Sequence, residues 1–146
     1  NNVATSLAHA APQLGISVRF ASPPGYQLPP HVIEESARGA CDGAHVRLCE
    51  DPREAVTGAD AVYTDVWASM GQEQEAAARR LVFRPYQVNS SLMEAAAPGA
   101  LFLHCLPAHR GEEVTADVMG SPASVVFDQA ENRLHTQKAL LLMLLS

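Results

Sequence analysis

Five short apolar runs, each leading into polar or turn-forming residues and each separated from the next by a helical pattern, constrain this chain most. They lie at 16–20, 45–49, 59–64, 100–104 and 124–127. A strand that returns to the sheet through a helix pairs parallel to its predecessor, because a parallel pair needs a crossover of a dozen residues or more. Such crossovers are right-handed and place helices on the sheet faces. The expected class is therefore α/β, a three-layer α/β/α arrangement with a mainly parallel, Rossmann-like sheet. All 146 residues form one expected domain.

The helical stretches carry their own punctuation. In the first, Val3, Leu7, Ala10, Ala11 and Leu14 share a face, and Gly15 stops it. Pro29-Pro30 opens a second, with Val32, Ile33, Ser36, Ala37 and Ala40 inward and Gly43 at its end. Asp51-Pro52-Arg53-Glu54 reads as a capping box with proline at the first helical position. Further helices are expected over 72–82, 89–97 and 112–119, with Glu75 and Arg79 spaced for an i,i+4 pair. Asp128-Gln129-Ala130-Glu131 is expected to cap a last helix running to Ser146. No strand precedes the first helix, so one strand of the sheet is expected outside these residues. The opening Asn1-Asn2-Val3, already helical in pattern, reads as a cut end.

Composition removes several function classes. Hydrophobic content of 47% and charged content of 18% describe a globular chain. The net charge is −6, and nine arginines and one lysine are scattered, so nucleic acid is not an expected partner. The longest apolar run, 139–145, is far below the roughly 20 residues of a membrane span, and no secretory pattern is visible. Three cysteines without metal-like spacing argue against a disulfide framework and a zinc site, and a reducing cytoplasm is the expected setting. There is no Gly-x-Gly-x-x-Gly and no Gly-Lys-Ser/Thr loop, so dinucleotide and P-loop readings are weak for these residues. No cofactor or metal is expected.

Two strand ends stand out. Asp65-Val66-Trp67-Ala68-Ser69-Met70-Gly71-Gln72-Glu73 follows one, and His104-Cys105-Leu106-Pro107 closes another. In open α/β sheets the carboxyl edge is where ligands bind. Asp65 there is placed for a cationic group, although an aspartate at a strand end also makes turns. Ser69-x-x-Gln72 is also a capping box, and Met70-Gly71 suits a loop that closes over a ligand. Cys105 is set apart from Cys41 and Cys49, which read as small buried thiols. His104, His109 and Arg110 nearby are placed to lower its pKa. As a strand neighbour, His104 points to the opposite face and is badly placed as a base. Leu106-Pro107 is a candidate cis peptide. Asn2 is an N-cap candidate, and an amide at a helix start also suits a substrate carboxylate. Arg133 falls in the expected first turn of the last helix, the wrong end for a cation on dipole grounds, which points to an anion or carbonyl oxygen. His9, His31, His45 and His135 are scattered and read as surface or half-buried.

Three blocks together, Asn1-Asn2-Val3, Asp65 through Glu73, and His104 through Pro107 with Glu131-Asn132-Arg133, resemble the second domain of ornithine carbamoyltransferases. The aspartate-specific relatives typically carry proline where this chain has Cys105, and lack the Ser-Met-Gly loop. The resemblance implies carbamoyl transfer from carbamoyl phosphate to the δ-amine of L-ornithine, giving L-citrulline and phosphate, without cofactor or catalytic metal. It implies that Asn2, Asp65, Ser69 and Met70 bind ornithine. Cys105, Leu106 and Arg133 would hold the carbamoyl group, with Cys105 and Asp65 catalytic. It further implies a missing N-terminal carbamoyl-phosphate-binding domain and a homotrimer, or a multiple of trimers, in the complete enzyme. Fragment activity is not expected. The alternatives are a related carbamoyltransferase using putrescine or N-acetylornithine, and a non-catalytic amino-acid-binding module.

Overall fold

A computed structural model describes residues 2–68 and 75–146. The chain divides into two compact units, Asn1–Thr57 and Gly58–Ser146. Each contains one two-stranded sheet, and both sheets are parallel, as the alternation requires.

The first unit runs α1 (Asn2–Gln13), β1 (Val18–Ala21), α2 (Pro30–Arg38), β2 (Val46–Cys49) and α3 (Pro52–Val56). Its core is Ala8, Leu28 and Val32, with Ala4, Phe20 and Ile33 packed around them. The buried face of α1 is not the expected one: Ala8 and Pro12 are covered, Ala10 is exposed, and Leu14 lies beyond the helix, 75% exposed. Ala8 packs with Leu28 and with Val32 of α2, and that contact sets the inward face. Helix α2 ends at Gly39 rather than Gly43, and Ala37 is exposed. Ser36, buried in this helix, is satisfied by donating to the Val32 carbonyl at 2.6 Å. Helix α3 begins at Pro52, with the Asp51 carboxylate accepting from the Arg53 N–H at 2.8 Å. The reciprocal half of the capping box is not made. Glu54 pairs instead with Arg47 on β2, where a cation outcompetes a backbone amide. Cys49 is buried as expected; Cys41 is exposed, in the turn after α2.

The second unit runs β3 (Ala61–Thr64), α4 (Ala76–Phe83), a 3-10 turn (Arg84–Tyr86), α5 (Ser90–Met93), β4 (Leu101–His104), α6 (Ala116–Met119) and α7 (Val126–Leu145). Phe102, Val114 and Val126 are at most 1% exposed and form its centre, with Val62, Val88, Val118 and Met119. The expected pair forms on α4, Arg79 to Glu75 at 3.0 Å. Helices α5 and α6 are single turns, shorter than the 89–97 and 112–119 read from pattern. Asn89 caps α5 by accepting from the Leu92 N–H at 2.9 Å. Residue Glu113 is drawn into a β-type bond instead of a helix, its carbonyl accepting from the Val88 N–H at 2.9 Å.

The expected last strand, 124–127, is reduced to a single bridge. Phe102 donates to the Ala123 carbonyl at 2.8 Å and accepts from the Val125 N–H at 3.1 Å, and α7 then starts at Val126. Burying Val126 turns the chain into the helix before a strand can extend. Nor does 128–131 cap this helix: it begins two residues earlier, without a side-chain cap. Beyond its first turn the residues of α7 are exposed, Leu140 through Leu145 at 55–83%.

Candidate active site at the ends of two parallel strands

The site follows from register. In the second unit Ala61 aligns with Leu101 and Thr64 with His104. The next residue on each strand, Asp65 and Cys105, therefore emerge side by side. The Cys105 thiol donates to Asp65 Oδ1 at 3.0 Å. Side chains two apart on a strand share a face, so Tyr63 joins Asp65 and Cys105. Its hydroxyl interacts with Cys105 and with Gln129 of α7.

The electrostatics invert one expectation. His104, His109 and Arg110 do not lower the Cys105 thiol. Burial, then the hydrogen bond to Asp65 and that carboxylate's negative charge, push it up to about 11. Thiolate formation beside an anion in a half-buried site is unfavourable. Tyr63 is likewise raised, first by burial and then by Cys105. At neutral pH the cluster is thus a protonated thiol and a neutral phenol, both close to Asp65.

His104 points the other way, as strand alternation requires. It is 1% exposed, and its Nδ1 accepts from the Leu106 N–H at 2.8 Å. A neutral ring that accepts at Nδ1 carries its proton on Nε2, which donates to Glu113 Oε1 at 3.1 Å. Glu113, fully buried, also accepts from the His109 N–H at 2.6 Å. The His104 backbone N–H donates to Gln129 Oε1 at 3.0 Å. Between these anchors Leu106 adopts a left-handed φ of 55°, and the Leu106-Pro107 bond is cis. That turn brings the Cys105 side chain and the Leu106 backbone to the same edge.

Other expected residues fare differently. Ser69 and Met70 lie outside the described residues. Asn2 is exposed and is the first residue of α1 rather than its N-cap. Arg133 is exposed on α7, past its first two turns rather than in the first, because the helix starts at Val126. His109, Glu112 and Glu113 place one ligand atom each within 4.8 Å of one another, a spacing a metal ion accepts. Glu112, however, already holds Arg80 at 2.8 Å, and Glu113 already holds two N–H groups.

Tyr63, Gln129 and Glu113 were missed from sequence. The signal for Tyr63 was available, since it lies two residues before Asp65 on one strand. For Gln129 and Glu113 no local pattern existed, because both reach the site through tertiary packing.

Comparison with known proteins shows the family. Residues 1–144 match the family described as "Aspartate/ornithine carbamoyltransferase, Asp/Orn binding domain". An ornithine carbamoyltransferase of Geobacillus stearothermophilus is 58% identical over 99% of this chain and 47% of its own length. An anabolic ornithine carbamoyltransferase of Pyrococcus furiosus is 56% identical over 99% of this chain and 46% of its own. Among solved structures, the P. furiosus ornithine carbamoyltransferase superposes with a TM-score of 0.89 at 56% identity, over 94% of this chain and 44% of that one. The anabolic enzyme of Campylobacter jejuni superposes at 0.91 with 37% identity, over 97% of this chain and 47% of that one. The chain spans about half the length of the curated relatives it matches.

Proposed function

Because the chain belongs to the aspartate/ornithine carbamoyltransferase family, we propose that it is the ornithine-binding half of an ornithine carbamoyltransferase, with Asp65 and Cys105 as its reacting edge. The observation that carries the reading is the Asp65–Cys105 pair, formed where β3 and β4 end in register, beside the left-handed Leu106 turn. A carboxylate there recognises the α-ammonium of an amino acid. The protonated thiol and the Leu106 carbonyl offer polar groups to the δ-amine.

The chemistry needs that amine neutral, against an ordinary alkylamine pKa of about 10.4. Desolvation lowers it, because burial penalises the charged form. The nitrogen lone pair then bonds to the carbamoyl carbon. The carbon–oxygen bond to phosphate breaks with its electron pair on phosphate, and the proton that the nitrogen gives up leaves on that phosphate. A Cys105 thiol raised to about 11 stays protonated through this, so it orients the amine and forms no covalent intermediate. Asn2 and the 69–70 segment would complete ornithine recognition. Arg133 and the backbone of Cys105 and Leu106 would hold the carbamoyl group. Most phosphate contacts would come from an N-terminal domain, in keeping with relatives twice as long. The family resemblance supports a trimeric complete enzyme working in the cytoplasm. Among the described residues no helix is long and apolar enough to cross a membrane.

The test is citrulline formation from carbamoyl phosphate and ornithine. The complete protein containing this sequence is expected to turn over, and these 146 residues alone are not. Turnover by the isolated chain, free of host enzyme, overturns the division of labour. Absence of turnover by the complete protein overturns the reaction itself.

A further inference from the structure

The geometry points to Glu113 as the positioning residue of the site: one buried carboxylate oxygen ties both ends of the 104–109 turn and so sets where Cys105 and Leu106 face an incoming amine. The catalytic consequence rests on the carbamoyl-transfer reading; the structural hold on the turn does not.

Glu113 Oε1 accepts from His104 Nε2 at the end of β4 and from the His109 N–H five residues on. His104 passes the constraint inward, since its Nδ1 accepts from the Leu106 N–H. Three hydrogen bonds thus hold a turn whose central residue is left-handed, a conformation costly for leucine and in need of support from its surroundings. The carboxylate is itself rigidly placed: its side chain is fully buried, its backbone carbonyl is bonded to Val88, and Val114 beside it is 0% exposed. Its other oxygen, Oε2, is buried and has no hydrogen-bond partner among the described residues, with the His109 ring 3.8 Å away. A buried carboxylate left half unsatisfied destabilises the fold. Oε1 is where this one acts, and both its bonds go to the turn. Glu113 reaches Cys105 through the His104 ring and the backbone of the turn.

The readout is the pH dependence of Cys105 alkylation by iodoacetamide, followed at that residue by peptide mass spectrometry. Among the described residues the charged and titratable groups acting on the thiol are Asp65 and Tyr63. In the native chain half-maximal alkylation is expected near pH 11. Glu113→Ala frees the turn, lets the thiol leave Asp65, and is expected to move the midpoint towards the ordinary thiol value, raising the rate at pH 9 at least tenfold. Glu113→Met fills the space without accepting a hydrogen bond and is expected to do the same. Glu113→Gln keeps an acceptor oxygen and is expected to retain the native profile. An unchanged profile in folded Glu113→Ala or Glu113→Met overturns the proposal. So does a shift seen only together with loss of the native melting transition. In the complete protein the alanine variant should lower kcat and raise KM for ornithine, with KM for carbamoyl phosphate within about twofold. A shifted alkylation profile in a complete protein that makes no citrulline leaves Glu113's hold on the turn intact and removes the enzymatic reading.

Discussion

The strand-end cluster and the distal half of α7 belong to the same unit and follow opposite rules. Around Cys105, nearly every polar group is answered from within the chain: the thiol by Asp65, His104 by Leu106 and Glu113, and Gln129 by the His104 amide. Along 140–145, none of the described residues covers the side chains by half. Six consecutive apolar residues are more than half exposed on every side of the helix. A patch of that kind marks a surface that meets another protein, whereas a satisfied polar cluster marks a site that is already formed. A preorganised polar cluster and a bare apolar surface can therefore coexist within one compact unit.

The contrast is most sharply tested at the bare end. Removing 139–146 is expected to turn a chain that self-associates into one that sediments as a monomer. The same truncation is expected to abolish activity in the complete protein, where this helix would pack on the N-terminal domain. A full-length chain that remains monomeric at high concentration, with amides of 139–145 strongly protected from exchange, would erase the distinction between the two regions.

A second test acts on the satisfied end. In the complete protein, Asp65→Asn removes a charge-assisted hydrogen bond to an ammonium, worth about 1.5–3 kcal/mol, or about ten- to a hundredfold in binding. Ornithine is expected to weaken by that factor and carbamoyl phosphate by less than twofold. Calorimetric titration of each ligand decides it, and equal weakening would detach Asp65 from the amine.

The smallest effect concerns pH. The Cys105 thiol is raised from 9.0 to about 11 in the fold, by burial first and Asp65 second. A raised pKa adds stability that is complete below the unfolded value and disappears as pH climbs through the folded one. The native chain is therefore expected to lose stability between about pH 9 and pH 11, and Cys105→Ala is expected to lose less across that window. Parallel urea melts at pH 8 and pH 11 measure the difference. Identical pH dependence would mean that the thiol is not held against Asp65 in solution.

What could be read in the sequence and what could not separate along a physical line. Parallel α/β pairing followed from alternation alone, because chain connectivity forbids a hairpin across a helix. The importance of Asp65 and Cys105 followed from their place just beyond apolar strands, and the Glu75–Arg79 pair from helical spacing. The last strand, the inward face of α1, the Glu54 half of the α3 capping box and the cap of α7 were misread, since each depended on competition with partners outside the local pattern. Val126 seeking the core, Ala8 packing on Val32 of α2, and Arg47 taking Glu54 are such competitions.

The amino-acid sequence by itself determined the elements, their parallel order and the two strand ends where chemistry would gather. Tertiary structure alone decided that the Cys105 thiol is raised rather than lowered, that His104 serves the Leu106 turn, and that Glu113 and Gln129 hold it. The reason is that a pKa and a hydrogen-bond partner depend on distance and burial. The register of Thr64 against His104 brings Asp65 to Cys105 across 40 residues of sequence.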